Sequence, residues 1–477
     1  MLTAALAAAA LVTALVLAGS SASAKAVAQE PSPAQAANPD APASSRPSLA
    51  RTARRGPISA GKLKRKLGRL ARKAPGSSGF YVYDIDAKSK RVLFDRSEGK
   101  RRLLASNEKL FTTTTALGLL GPDSQLETRV KADGKLSRAG KLQGDLYLIG
   151  DGDPTFGAAG IADLADDVRR SGIKRISGKV YGDDSIFDTL RGVPDSNWGA
   201  SPYFAPLSGL VYGGSTYAED PAKEAARAFR DALRGEGIKV GGKVKVKALP
   251  GRLRKSEAVG EWKSDTIARL AAYTNKPSDN FFAEMLLKRL DASGSSRGTT
   301  RGGTKDVERF VAGLGSKVDA KDGSGLTRHN RSSPRDVVRL LTAVSEDRKL
   351  ADPLYDSLSI AGRDGTLGGR MGGTVAAGRC RGKTGTITGV SNVSGYCKSG
   401  GHLVAFSILM NGVGDLTAAH NIQDDMVVQI ARYRPRGSRG GGGGLGRQRP
   451  APAARALPHS PRPRTCHPEV DLFTVSR

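Results

Sequence analysis

Three short groups of residues hold the parts needed for acyl transfer. Ser106-Asn107-Glu108-Lys109 sets a hydroxyl and an amine three positions apart. On a helix, positions i and i+3 share a face, so the amine can lie beside the hydroxyl. A desolvated amine, or one flanked by positive charge, loses its proton more easily and can serve as the base for that hydroxyl. A hydroxyl at a helix start also has free backbone N–H groups nearby, as an oxyanion requires. Ser278-Asp279-Asn280 adds a hydroxyl that could relay a proton and an amide that could hold a carbonyl. Lys383-Thr384-Gly385-Thr386 adds a fixed positive charge and a strand N–H able to complete an oxyanion hole. Its glycine would let a substrate backbone lie close alongside.

Each group has competitors. Ser59-Ala-Gly-Lys62 and Ser171-Gly-Ile-Lys174 repeat the first spacing. Only Ser106 is followed by a largely uncharged helix that could be buried, through Leu110, Phe111, Ala116 and Leu119. Tyr273-Thr274-Asn275 competes with Ser278, and Lys398-Ser399-Gly400 with Lys383. Asn280 launches a helix directly, and Lys398 falls in a turn.

The elements that position these groups follow from periodicity. Ile58–Ala74 places Leu63, Leu67 and Leu70 on one helical face. Phe80–Asp84 and Val92–Asp95 alternate as a β-hairpin. A helix follows from Ser106 to Leu120. Residues 122–249 mix short strands and glycine-rich turns with helical stretches, among them a strand at Leu142–Ile149 and a helix at Pro221–Glu236. Two helices, broken at Asn275-Lys-Pro277, run from Thr266 to Leu290, and a short one covers Val337–Ser345. Strands at Arg379–Thr386, Ser391–Tyr396 and Leu403–Met410 close the pattern. This order predicts an α+β domain whose antiparallel sheet takes strands from both ends of the chain.

Composition narrows the function classes. The 477 residues carry a net charge of +29, but 17 of those charges lie in Lys25–Lys73 and Arg434–Arg477. A nucleic-acid-binding core is therefore not expected; the basic ends suit loose attraction to anionic envelope polymers. Three cysteines and five scattered histidines exclude a zinc-finger protein. Residues 1–24 are uncharged, rich in Ala, Leu and Val, and end Ala22-Ser-Ala24, as a secretory signal peptide does; Ala28 marks a second cleavage candidate. Residues 25–56 read as an Ala/Pro/Ser linker and 434–477 as a disordered Gly/Arg/Pro tail. If the last hairpin turns near Thr388-Gly389, Cys380 and Cys397 oppose each other, and export permits a disulfide between them.

The ordered trio is the set associated with serine β-lactamases and penicillin-binding proteins. More of the chain resembles one branch, the D-alanyl-D-alanine carboxypeptidases/endopeptidases of the penicillin-binding protein 4 type. Gly144–Thr155, Gly182–Asp188, Asp322–Arg328 and Ala361–Leu367 carry that likeness, which spans Gly76–Tyr433. The resemblance implies a penicillin-binding peptidase domain, residues 57–121 plus 256–433, its antiparallel sheet flanked by helices on both faces. A small α/β domain, 122–255, is inserted between the first and second motifs. It implies Ser106 as the nucleophile and Lys109 as its base, with Ser278 and Lys383 assisting proton transfer and holding a terminal carboxylate. Asn280, Thr384, Gly385 and Thr386 would contact the peptide, and the backbone N–H groups of Ser106 and Thr386 would form the oxyanion hole. Arg328 would meet the free end of the stem-peptide side chain. Peptidoglycan peptides ending in D-Ala-D-Ala and β-lactam antibiotics are the implied partners, with neither metal nor organic cofactor.

Two departures stand out. Only 171 residues separate Ser106 from Ser278, so the innermost small domain of longer relatives is expected to be absent. The acidic residues that often follow a tryptophan in relatives are replaced by Asn197-Trp-Gly-Ala-Ser201. A serine β-lactamase is the nearest alternative, but no Glu-x-x-Leu-Asn segment lies between Asn280 and Lys383. Gly294-Ser-Ser296-Arg-Gly298 matches the α/β-hydrolase elbow yet follows a helix and precedes a Gly/Thr/Arg loop. A non-catalytic wall-binding homologue is a third reading, against which the intact trio argues.

Overall fold

The computed structural model describes residues 56–435, apart from 90, 197, 199–204, 215–217 and 293–296. The expected signal peptide, nearly all of the linker and tail, and Gly294–Ser296 lie outside the described residues.

The chain opens with α1 (Ala60–Ala71), the hairpin β1 (Gly79–Asp84) and β2 (Arg91–Arg96), the short β3 (Arg102–Leu103), and α2 (Glu108–Leu120). A middle section follows: β4 (Gln125–Leu136), β5 (Lys141–Ile149), α3 (Ala158–Arg170), β6 (Arg175–Ile176), β7 (Val180–Asp183), α4 (Pro221–Gly235), β8 (Lys239–Val240), β9 (Val244–Val246) and β10 (Gly260–Thr266). Next come α5 (Ile267–Asn275), α6 (Asn280–Asp291), α7 (Thr300–Gly313), β11 (Val318–Asp319), β12 (Arg331–Ser332), α8 (Pro334–Glu346), α9 (Ala351–Ser357) and β13 (Ser359–Ile360). The chain closes with β14 (Cys380–Ile387), β15 (Val390–Ser399), β16 (His402–Asn411) and α10 (Leu416–Ala431).

The principal sheet is antiparallel, in the order β13-β14-β15-β16-β1-β2, so strands from both ends of the chain meet at β16 and β1. Its last strands read as near-continuous apolar runs because both faces are covered. On one face Phe80, Val82, Val393, Phe406 and Ile408 pack with Leu63 and Leu67 of α1 and Val427 and Ile430 of α10. On the other, Tyr396, Ala405 and Leu409 pack with Leu110 and Phe111 of α2, Leu270 of α5 and Leu340 and Leu341 of α8. The nucleophile candidate and its partners hang from this second layer.

The middle section folds around a mixed sheet, β10-β4-β5-β6-β8, with β7 paired to β5 and β9 to β7. Its core joins Val130, Leu146 and Leu148 to Leu164 of α3 and Phe229 of α4. Strand β10 returns to pair with β4, so this sheet runs on beyond residue 255 to Thr266, immediately ahead of α5. A third, three-stranded sheet, β11-β12-β3, ties Arg331–Ser332 to Arg102–Leu103 just before Ser106.

One expected loop is a helix. The Gly/Thr/Arg stretch after Gly298 opens α7, where Thr299 caps through Gly302 N–H at 2.8 Å. Two glycines in its first turn hide the helix from propensity. Packing explains one of them, since a Cβ on Gly303 would lie 2.1 Å from the Leu287 carbonyl oxygen.

Candidate active site

Ser106 sits in a single 3-10 turn, Ala105–Asn107, directly ahead of α2 rather than on the α-helix itself. The incoming chain is clamped. Asn392 donates to the carbonyls of Leu103 (3.0 Å) and Leu104 (2.8 Å), and Asn411 accepts from the Leu103 N–H at 2.9 Å. Ala105 is held in the left-handed region at φ 44°, an uncommon conformation for a residue with a Cβ. The turn leaves Ser106 half-buried between two buried neighbours, so its side chain faces the cleft. Asn107 donates to the Lys383 carbonyl at 3.1 Å and fastens the turn to β14.

The Lys109 ammonium position lies 3.0 Å from Ser106 Oγ, 2.7 Å from Asn280 Oδ1 and 2.7 Å from the Ser324 carbonyl oxygen. Lys109 is 0% exposed. Burial disfavours its charge and draws its pKa down to about 8, against the pull of Asp322, Asp279, Glu284 and Glu108, which favour the charged form. Near neutrality it can therefore hold a proton or give one up.

The second and third motifs meet across the cleft. Ser278 follows Pro277 at the helix break and adopts φ 66°, again in the left-handed region. Asp279 then caps α6 by accepting from the Phe282 N–H at 2.9 Å. This turn sets Ser278 Oγ 2.8 Å from Lys383 Nζ, which also donates to the Thr384 carbonyl at 2.9 Å. Lys383 is fully buried, and its pKa falls well below the usual lysine range, through burial first and the charge of Lys109 second.

Gly385 also permits a close approach within the protein itself. A Cβ there would meet Leu104 O at 2.8 Å and the backbone nitrogens of Ser106 and Asn107 at 2.9 Å. The glycine thus admits the Ser106 turn against β14 and brings the Ser106 nitrogen beside the strand one residue from Thr386. Thr384 is half-buried and Thr386 exposed. Strand β13 pairs only with Arg381 and Gly382, so among the described residues Lys383–Ile387 has no strand on that edge. Arg328 is exposed and donates to the Thr388 carbonyl at 2.7 Å, at the far end of the same edge. Cys380 and Cys397 are register partners joined by a disulfide at the opposite end of β14.

Sequence reasoning missed a layer of buried acids behind Lys109. Glu284 on α6 accepts from the N–H groups of Gly323 (2.9 Å) and Ser324 (2.7 Å), the residue whose carbonyl holds Lys109. Burial, then the Asp322 charge, pushes Glu284 up to about 8. Asp322 accepts from the Gly325 and Thr327 N–H groups and from Asn330, each at 2.7 Å, and so shapes the loop. Glu108 is wholly buried, neither of its carboxyl oxygens has a partner among the described residues, and burial raises its pKa strongly. The available signal was an acid inside an apolar helical run, Phe281-Phe-Ala-Glu-Met-Leu-Leu287.

The competing motifs are accounted for. Asn275 is buried and donates to Thr113 and Ser357, so it braces helices. Ser59 and Ser171 flank the ends of α1 and α3, with Lys62 and Lys174 exposed. Lys398 lies over the Tyr355 ring.

The profile of the D-Ala-D-Ala carboxypeptidase 3 (S13) family matches residues 65–219 and 211–433. A D-alanyl-D-alanine carboxypeptidase from Actinomadura sp. (strain R39) is 30% identical over 450 residues, covering 75% of this chain and 83% of the relative. The D-alanyl-D-alanine carboxypeptidase DacB of Haemophilus influenzae is 25% identical, covering 73% and 88%. Among solved structures, penicillin binding protein 4 (dacB) from Haemophilus influenzae shares the fold at a TM-score of 0.67 and 22% identity, covering 77% of this chain and 99% of that one. The α+β architecture is thus of the penicillin-binding, transpeptidase-like kind, and the chain belongs to the D-Ala-D-Ala carboxypeptidase 3 (S13) family of serine peptidases.

Proposed function

We propose that this enzyme is a serine D-alanyl-D-alanine carboxypeptidase/endopeptidase of peptidoglycan stem peptides, acting through an acyl-enzyme on Ser106. The observation that carries the site assignment is the double pairing of a buried lysine with a serine: Lys109 with Ser106 and Lys383 with Ser278. Neutral Lys109 takes the Ser106 proton as Oγ attacks the penultimate D-Ala carbonyl. The Ser106 and Thr386 N–H groups receive the oxyanion. The C–N bond breaks, the leaving amine takes a proton relayed through Lys383 and Ser278, and water then hydrolyses the ester. Thr384, Thr386 and Lys383 hold the carboxylate of the leaving residue, Asn280 and the free edge of β14 hold the peptide, and Arg328 meets its side-chain end.

S13 membership supports work at the cell envelope. The apolar segment ending at Ala24 supports export by a cleaved leader. Division of the described chain into a peptidase domain and an inserted unit is supported by the two separate cores.

Intact-mass analysis after mixing with benzylpenicillin, with Ser106→Ala as control, tests this reading. A persistent adduct on the wild type alone is expected. Rapid penicillin consumption without an adduct would establish a β-lactamase instead, and neither binding nor consumption would leave a non-catalytic wall-binding protein.

A further inference from the structure

The middle section carries a cation-lined cleft that shares no residue with the Ser106 site. Lys141, Arg175 and Lys239 are the first residues of β5, β6 and β8. Parallel pairing sets Lys141 opposite Arg175, and Arg175 opposite Lys239. Register partners on neighbouring strands share a sheet face, so the three side chains stand in a row about 10 Å long. The next residue of each strand, Leu142, Ile176 or Val240, points the other way and is buried in the core shared with α3 and α4. The row therefore faces solvent, and all three cations are exposed. Arg234, in the last turn of α4, joins them in lining a cleft of about 680 Å³.

The charge there is unbalanced. No acidic residue lines the cleft. Among the described residues Lys141, Arg175 and Lys239 have no ion pair, and Arg234 has only Asp231, at 3.7 Å. Elsewhere the same section pairs its arginines closely: Arg169 lies 3.1 Å from Glu236, and Arg170 meets Asp166 and Asp167. Like charges gathered in one place repel, so the arrangement is unfavourable until an anion offsets it. Nearby directional donors are already spent. Ser177 gives its N–H and its hydroxyl to the Leu142 carbonyl, each at 3.1 Å, and the Gly241 N–H goes to the Ile176 carbonyl at 3.2 Å. What remains is two guanidinium forks and two ammonium groups, which suit phosphate oxygens and read no finer pattern. A row of charges fits successive groups along a chain better than one small anion. A concave site admits such a chain, whereas a flat bilayer would meet only its rim.

We propose that this cleft binds a polyanion of phosphodiester-linked units, and that it holds the enzyme on an anionic polymer of the envelope while Ser106 acts at a separate site. The binding assignment does not depend on the Ser106 chemistry. Only the source of the polymer rests on the proposed work at the cell envelope. The basic chain ends add general attraction, but the sheet fixes the spacing of this row. No bond is made or broken in the cleft; binding is by charge, and salt weakens it.

The test measures binding of the full chain to immobilised poly(glycerol phosphate) at low and at high salt. One variant combines Lys141→Glu, Arg175→Glu and Lys239→Glu. A control combines Lys62→Glu, Lys64→Glu and Arg65→Glu, the same change of charge on exposed residues of α1. The row variant should weaken binding about tenfold or more and flatten its salt dependence, and the control should weaken it less than about threefold. Benzylpenicillin acylation should stay within about twofold of wild type in both, and circular dichroism reports folding independently of Ser106. Should the glutamate row variant fail to fold, the glutamine versions of both sets decide, with the row set again the weaker binder. Equal weakening by the two sets assigns binding to net charge and overturns the cleft, as does a wild type that does not bind the polymer. Binding to phosphatidylglycerol vesicles that the row variant loses while polymer binding persists overturns the polymer assignment and makes this face a membrane contact. A wild type that binds the polymer but is not acylated by benzylpenicillin overturns the reading of Ser106 and supports the cleft.

Discussion

The two buried lysines occupy opposite electrostatic settings. Lys109 lies among carboxylates, with Asp322, Asp279, Glu284 and Glu108 all opposing its desolvation. Among the described residues Lys383 meets no such acid; burial and then the charge of Lys109 act on it. Both are 0% exposed, so the difference comes from neighbours rather than depth. An ammonium surrounded by acids keeps its proton to about pH 8 and releases it when a serine hydroxyl needs a base. An ammonium without acids loses its proton far more readily and gains charge when a carboxylate arrives. On the proposed reading, the floor of the site thus serves proton transfer and the β14 wall receives an anion.

Substitution separates the two. Lys109→Ala should give the largest loss, on the order of 10⁴-fold in the acylation rate by benzylpenicillin, since general-base catalysis contributes up to about that much. Lys383→Ala should cost about 10²-fold, much of it as a raised KM for carboxylate-bearing substrates. Equal losses with unchanged KM would erase the distinction. Gly385→Ala drives a methyl group against the Ser106 and Asn107 nitrogens at 2.9 Å. It should slow acylation tenfold or more and lower stability by about 1–3 kcal/mol, as overpacking does; stopped-flow and urea unfolding measure the two effects.

The serine–lysine trio was legible because its chemistry is local. Three-residue spacing, a helix break before Ser278 and a strand at Lys383 are all visible in the chain. What surrounds the trio was not. Glu284 acts on Lys109 through the backbone of Gly323 and Ser324, about 40 residues away, and no periodicity marks that contact. The role of Gly385 needed the third dimension too, because its crowding neighbour is the turn at Leu104–Asn107. Helix α7 was hidden by its own glycines. The pairing of Cys380 with Cys397, by contrast, needed only the hairpin's midpoint.

That disulfide gives the smallest expected effect on chemistry. It closes a separation of 17 residues at the end of β14 remote from Thr386. Replacing both cysteines with alanine should cost about 3 kcal/mol of stability by loop-closure entropy, read by urea unfolding. Acylation at 25 °C should remain within twofold.

The measurement that tests the central claim most directly is the pH dependence of benzylpenicillin acylation in the wild type and in Glu284→Gln. Lys109 works as a base only when neutral, so the wild-type rate should climb with pH and level off above an inflection near 8. Glu284, itself pushed up to about 8, gains its charge in the same range and then favours the protonated lysine. The glutamine still accepts from the Gly323 and Ser324 N–H groups but cannot ionise, so the inflection should move to lower pH. An inflection that stays in place in Glu284→Gln, or a wild-type rate that falls with pH across this range, would contradict the account.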